Sequence, residues 1–286
     1  GKQPELFDPM TGNIRNIAVY EEIDGRTRIP LDFEAQGSKL IVFRKKSKDH
    51  IVELKHGGAA VFASGAPLTK AFSTLPEFTL NPDDSISVAQ DEETGDIEYI
   101  MSSGKKGKVS VSPRPHPIEL TGSWSVAFEP DRGAPAHITM EKLASWSEHK
   151  DSGVRYFSGV GTYKKAFTLP DDFLRKNRRI SLDLGAVREL AEVLVNGKSA
   201  GTLWRSPYVI DITPHVQPGK NDLTIKVVNT WVNRLIGDKN VPKEEWICKI
   251  VSPDPWWYKA NSPLPSSGLL GPVYIRASLE YSAPLK

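Results

Sequence analysis

The chain is predicted to be all-β, with two β-sandwich domains, the second of them a double-sheet jelly roll. Three observations point that way. Apolar and polar residues alternate with period two over much of the 286-residue sequence, as expected of strands with one buried face. Turns containing Gly punctuate these runs at short intervals, the mark of antiparallel sheet. The length exceeds what one small sandwich needs and suits two.

The first domain is expected over residues 1–117. Its early strands are read at Ile14–Val19, Ile29–Phe33 and Leu40–Phe43, separated by Thr11-Gly12, Asp24-Gly25 and Gln36-Gly37. Alone they would make a thin sandwich, so they are expected to pair with the weaker signals that follow, VELKHGGAAVFA, AFSTLPEFTLN, SISVAQ, IEYIMS and GKVSVSP. Asp96–Ile100 and Lys108–Val111 flank Ser103-Gly104-Lys105 as a hairpin. Pro113, Pro115 and Pro117 then hold the backbone near polyproline geometry, which places the boundary there. The opening Gly1-Lys2-Gln3-Pro4 reads as a cut in a longer polypeptide, so this domain is expected to be truncated at its N-terminus.

The second domain, residues 118–286, is organised around Ala191–Thr213, AEVLVNGKSAGTLWRSPYVIDIT. Asn196-Gly197 between alternating apolar residues predicts a tight hairpin, because a type I′ turn needs positive φ at both central positions. Around it lie further period-two strands, GSWSVAF, FSGVGTYKKAFTL, RRISLDLG, NDLTIKVVN and PVYIRASLEY. Ile180, Leu182 and Leu184 are expected to point inward, as are Leu223, Ile225 and Val227, while Ser181, Asp183, Thr224 and Lys226 point out. Two segments, Pro170–Lys176 and Pro242–Cys248, are read as single short helices, with Pro at a plausible first helical position and acids close behind. Between Trp231 and Gly271 the pattern breaks into a long loop rich in Trp, Pro and Gly, of a length usually reserved for function or an interface.

Composition removes several classes of function. Lys and Arg total 37 against 35 Asp and Glu, a formal net charge of +2, so nothing electrostatic argues for nucleic acid or a membrane surface. The clusters Arg44-Lys45-Lys46 and Lys105-Lys106-Gly107-Lys108 are isolated and read as solvated strand ends or hairpin tips. Cys248 is the only cysteine, which excludes an intrachain disulfide framework and a cysteine-rich zinc site. Next to Ile247, it reads as a small core residue. No apolar run reaches the length of a membrane helix.

Catalytic patterns are missing as well. The six histidines do not pair on any one element, and SSGKKGKVS lacks the spacing and flanking elements of a phosphate-binding loop. No Gly-x-Ser-x-Gly elbow is present, and the serines of LPSSGLLGPV sit in a turn-rich segment without triad partners. Asp171-Asp172 and Glu244-Glu245 cannot act as a glycosidase pair, since sequence neighbours point apart. Asp183, Asp211, Asp238 and Asp254 are read as surface or capping groups. No catalytic residue is nominated, and no metal ligand. No cofactor is expected, and a structural calcium is left open.

The aromatics carry the binding hypothesis. Sugars stack flat C–H faces on Trp and Tyr while neighbouring polar groups take their hydroxyls, so an aromatic-rich loop at one end of a sandwich suits a glycan. Trp204, Tyr208, Trp256, Trp257 and Tyr258 are the candidates. Large aromatics also plug sandwich ends or seal interfaces, and that competing role stays open for each.

The run FSGVGTYKKAFTLP, LDLGAVRELAEVLVNGKSAGTLWRSPYVIDIT and NDLTIKVVNTWVNRLIGD resembles the galactose-binding-like jelly roll of family-two glycosidases. With NRLIGD, SGLLGPVYI and GSWSVAF, the chain is similar more narrowly to the C-terminal region of bacterial alpha-L-rhamnosidases of glycoside hydrolase family 106. FDPMTGNIRNIAVYEEIDGRTRIPLDF and SKLIVFRK resemble the sandwich that follows the barrel in those enzymes. The resemblance implies an extracellular or periplasmic bacterial enzyme of polysaccharide breakdown whose catalytic barrel lies upstream. It implies a non-catalytic accessory region here, with a glycan and that upstream domain as partners. A free-standing carbohydrate-binding module and a protein-interaction unit are the alternatives.

Overall fold

The computed structural model describes all residues except 10–11, 32, 34–36, 67–76, 82–84, 91–94, 112–114, 176–177, 250–256 and 285–286. It is all-β, built of antiparallel sheets, and no helix is long and apolar enough to cross a membrane. Two compact units divide the chain: Gly1–Arg114 with Ser278–Lys286, and Pro115–Ala277.

In the first unit, Lys2–Phe7 lies between Ile14–Ile17 and Leu40–Lys46. Glu77–Leu80 and Ser85–Gln90 extend that sheet beyond Ile14–Ile17, and Leu279–Pro284 returns to pair with Ser85–Gln90. A second sheet runs in the order Lys106–Val111, Gly95–Met101, Ile51–His56 and Ala59–Ala63. Side chains of both sheets, among them Ile51, Leu54, Ile97, Leu80, Ile86 and Val88, meet in one apolar core, which is what makes the unit a sandwich. The hairpin at Ser103-Gly104-Lys105 is present, closed by the Met101 N–H on the Lys105 carbonyl at 2.8 Å.

The basic cluster Arg44-Lys45-Lys46 is more than a solvated strand end. Glu5 is fully buried, and Arg44 and Lys45 both reach its carboxylate, at 2.9 Å each. The hydrogen bond from Arg44, then that from Lys45, holds the Glu5 carboxyl down at about 2. A buried carboxylate is tolerable only when paired in this way. Lys2–Phe7 lies one strand in from the edge strand Leu40–Lys46, which carries Arg44 and Lys45 over it, so the buried Glu5 is met by cations whose own side chains stay exposed.

In the second unit one sheet has six strands, in the order His137–Met140, Trp124–Phe128, Val160–Leu169, Gly219–Val228, Leu190–Val195 and Lys198–Leu203. Facing it are Val209–Asp211, Arg178–Asp183 and residues 274–277 of the last strand, with Ile118–Glu119 paired to Tyr274 and Ile275. Ala186–Arg188 pairs with Gly268–Gly271. The expected inward sets Ile180, Leu182, Leu184 and Leu223, Ile225, Val227 are all buried in the shared core. Asn196 and Gly197 have φ of 51° and 76°, as the type I′ turn requires. The Asn196 side chain adds to the turn: its Oδ1 accepts from the Asp222 N–H at 2.9 Å, and its Nδ2 donates to the His215 carbonyl at 2.9 Å.

The core is densest around Trp146, which is fully buried and lies 5.5 Å from Phe128, 5.4 Å from Phe157 and 6.1 Å from Tyr163, ring centre to ring centre. Gly161 and Gly268 face it. A Cβ on Gly161 would sit 2.4 Å from the indole, so only glycine allows this ring in.

Two helix expectations change in kind. Pro170–Lys176 and Pro242–Cys248 contain 3₁₀ turns, Asp171–Leu174 and Lys243–Glu245, with the prolines one residue before them. The stretch read as structureless, Trp231–Gly271, holds an α-helix, Val232–Asp238, and a strand, Gly268–Gly271. The helix carries no apolar period because its inward face is largely polar, with Asn233, Arg234 and Asp238 buried.

Candidate functional site

The registers of the six-stranded sheet define a single rim. Leu190 and Val160 both pair with Val228, Ala191 with Leu203, and Phe128 with Gly161. Trp204, Glu189, Asn229, Gly159 and Glu129 therefore leave the sheet at the same end. Trp204 comes off the edge strand, and Asn229 lies two strands in, about 10 Å away at ordinary interstrand spacing. The opposite end carries the Asn196-Gly197 and Gly219 turns, which are polar.

Side chains fix the segments that meet at this rim. Asn229 accepts from the Gly159 N–H at 3.0 Å and donates to the Phe157 carbonyl at 2.8 Å. Glu129 Oε2 accepts from the Val160 N–H at 3.0 Å. The Ser158 hydroxyl donates to the Thr230 carbonyl and accepts from the Arg234 N–H, so it caps the approach to the helix from both sides. Asn233 Nδ2 ties that helix to the Pro265 carbonyl and the Ser267 hydroxyl. At the helix end, Asp238 forms a buried ion pair with Arg234 at 3.0 Å and accepts from the N–H groups of Ile247 at 3.3 Å and Cys248 at 2.8 Å. Burial, then the Asp238 charge, pushes the Cys248 thiol up.

What this framework presents is aromatic. Among the described residues, the large apolar side chains that the second unit exposes are Trp204, Val209, Trp231, Val241 and Trp257. All of them lie on segments that leave this rim or return to it. Trp204 is 59% exposed, Trp257 58% and Trp231 51%. The Arg132 guanidinium lies over the Trp231 ring at 5.2 Å, and Arg132 approaches Glu129 at 3.8 Å. Lys239 and Lys243 lie over Trp246, at 4.5 and 5.8 Å, which commits that ring to the loop itself.

Of the five aromatics nominated from sequence, Trp204 and Trp257 are exposed to solvent. Tyr258 is half-buried and tilted against Trp257, with ring centres 5.9 Å apart. Trp256 lies outside the described residues. Tyr208 is 6% exposed and joins the core, its hydroxyl donating to the Glu189 carbonyl at 2.7 Å. It pins the Trp204–Pro207 turn and offers no stacking face. Sequence reading placed Trp231 in the loop without nominating it. The available signal was its position two residues after Asn229, at a strand end that shares its rim with Trp204.

Comparison with known proteins bears on this unit first. Residues 149–248 match the sequence family described as glycosyl hydrolase 2 galactose-binding domain-like. They lie within the second unit, Pro115–Ala277, which carries the likeness to the galactose-binding-like domains of glycoside hydrolases. A putative beta-glucuronidase of Formosa agariphila is 39% identical over 209 residues, 66% of this chain and 18% of that protein. A beta-glucuronidase of the same organism is 32% identical over 84 residues, 28% of this chain and 8% of that one. The solved rhamnosidase of Novosphingobium sp. PP1Y matches 97% of this chain with a TM-score of 0.66 and 32% identity, over 20% of its own length. The chain thus spans about a fifth of the length of the rhamnosidase and of the first glucuronidase.

Proposed function

We propose that this chain is a non-catalytic accessory region of a larger glycoside hydrolase of the family-106 rhamnosidase type. It would support the catalytic domain and present the galactose-binding-like rim towards glycan. The observation that carries this reading is coverage. The likeness to the rhamnosidase runs through both units, whereas that to the putative glucuronidase takes in 66% of the chain. The sequence supports the non-catalytic part, since it offers no pair of carboxylates set to flank a glycosidic bond. An extracellular or periplasmic setting and work on polysaccharide rest on the resemblance alone.

The test is hydrolysis by the purified chain, assayed with an aryl alpha-L-rhamnoside and an aryl beta-D-glucuronide. No turnover above buffer is expected, and measurable turnover of either refutes the accessory reading. An immunoblot of source cells supplies the second check. A band several times heavier than 31.7 kDa is expected, and one at that mass would favour a free-standing carbohydrate-binding module. The solvent-exposed indoles of Trp204, Trp231 and Trp257 favour that module over a protein-interaction unit, because sugars stack their C–H faces on such rings.

A further inference from the structure

The turn that carries Trp204 is held down at both ends on one short stretch of backbone. At its start Leu203 pairs with Ala191. At its finish the Tyr208 hydroxyl donates to the Glu189 carbonyl at 2.7 Å, and the Tyr208 carbonyl accepts from the Leu184 N–H at 2.9 Å. The Trp204–Tyr208 turn is thereby fixed on the backbone of Glu189 and Ala191, one residue on from Arg188. The charges of Glu189 and Arg188 both reach the Tyr208 hydroxyl, in keeping with that placement.

The charges here are unusual. Every other arginine described at this end of the unit has an acceptor for its guanidinium or a ring beneath it: Arg132 has Trp231 and Glu129, Arg155 the His149 carbonyl, Arg234 Asp238 and Tyr156. Arg188 and Arg205 reach only carbonyls of their own turns, Val187 at 3.1 Å and Ser206 at 3.4 Å. Neither has a carboxylate partner among the described residues. Two arginines without a carboxylate therefore share this short stretch of backbone with a 59% exposed indole, Arg205 next to Trp204 in sequence and Arg188 next to the Glu189 carbonyl that anchors Tyr208.

We propose that Trp204, Arg188 and Arg205 form a subsite for an anionic sugar, one bearing a carboxylate or a sulfate ester. The indole takes the flat C–H face of the ring, and the guanidinium groups take the anion. Arg suits the task because its planar fork matches carboxylate and sulfate-like oxygens. The backbone anchors lower the ordering cost of binding. This deepens the proposed function and rests on reading the rim as a glycan contact.

The experiment titrates the intact chain with three oligosaccharides of equal length: one containing a uronic acid, one a sulfate ester, and one neutral. Quenching of tryptophan fluorescence and calorimetry give the affinities. At least one anionic form should bind about tenfold or more tightly than the neutral one, the scale of one charged hydrogen bond. That preference should shrink with added salt. Arg205→Gln and Arg188→Gln should remove the preference while sparing neutral binding, and Trp204→Ala should weaken both. None of the three side chains lies in the core, Trp204 and Arg188 being exposed and Arg205 half-buried, so the variants are expected to fold. The arms separate carboxylate from sulfate. Equal affinity for charged and neutral sugars, or no effect of either arginine variant, overturns the subsite and leaves the accessory reading standing. No binding of any sugar overturns the glycan contact as well, and the accessory reading then depends on the hydrolysis assay.

Discussion

Replacing Asp238 by alanine should loosen the rim from within. Arg234 is 6% exposed and Asp238 2%, so the variant leaves a guanidinium buried without its counter-ion. Breaking a buried pair in this way costs about 3–5 kcal/mol. The lower end applies here, because the Arg234 Nε–H is not aligned on the carboxylate as a hydrogen bond and the guanidinium keeps Tyr156 beneath it at 5.9 Å. The freed N–H groups of Ile247 and Cys248 lie on half-buried backbone that water can reach, which adds about 1 kcal/mol. The expected loss is about 4 kcal/mol, within the range of a domain's whole stability. Tryptophan fluorescence during urea unfolding reads it cleanly, since all seven tryptophans fall between Trp124 and Trp257 and therefore in the second unit. A local readout accompanies it. Without the Asp238 charge and with its segment released, the Cys248 thiol should ionise at lower pH and react faster with a thiol reagent. Asp238→Asn keeps an oxygen for the Cys248 N–H and should recover only the smaller part of the loss. A change below about 1 kcal/mol in both variants, with thiol reactivity unaltered, would refute the claim that this ion pair anchors the rim.

Three further outcomes are expected. Glu5 has its carboxyl held at about 2, below the ordinary 4.5, so it contributes stability that is present above the unfolded value. That contribution should fade as pH drops from about 5 to 2, and Glu5→Gln should flatten this part of the pH profile of the first unit, followed by amide resonances of Leu40–Lys46. Gly161→Ala forces a methyl against the Trp146 indole and should cost about 1–3 kcal/mol, while Trp146→Ala should cost about 3–5 kcal/mol by opening a cavity. Both are measured by urea unfolding, and an unchanged midpoint for either contradicts the packing described. Asn196→Gly keeps the left-handed turn and removes only the side-chain bonds, so it should cost about 1 kcal/mol, whereas Asn196→Ala adds backbone strain of about 1–2 kcal/mol. Equal losses for the two would show that the backbone conformation is not what selects Asn there.

The sequence by itself determined eight strands of the second unit and the buried face of two of them, Arg178–Asp183 and Gly219–Val228. The short strands Ile118–Glu119, His137–Met140, Ala186–Arg188 and Gly268–Gly271 gave too little local pattern to be read. Period-two patterning is a local signal, and Ile180, Leu182, Leu184 and Leu223, Ile225, Val227 had only to follow their own strands into the core. Asn196-Gly197 was equally legible, since the turn depends on the φ angles of two adjacent residues. Tertiary structure decided what local signals cannot carry. Whether an indole or a phenol is a platform or a plug depends on what covers it, and that comes from distant segments: Tyr208 is closed over by the core and bonded to Glu189, while Trp204, four residues earlier, stays open. The helix Val232–Asp238 buries Arg234 and Asp238 against each other, so its inward face looks like an outward one until the partner is known. Arg44 and Lys45 looked like solvated charge until the sheet register brought buried Glu5 beneath them. In each case the deciding quantity is desolvation, which is a property of the packed neighbourhood and not of the residue.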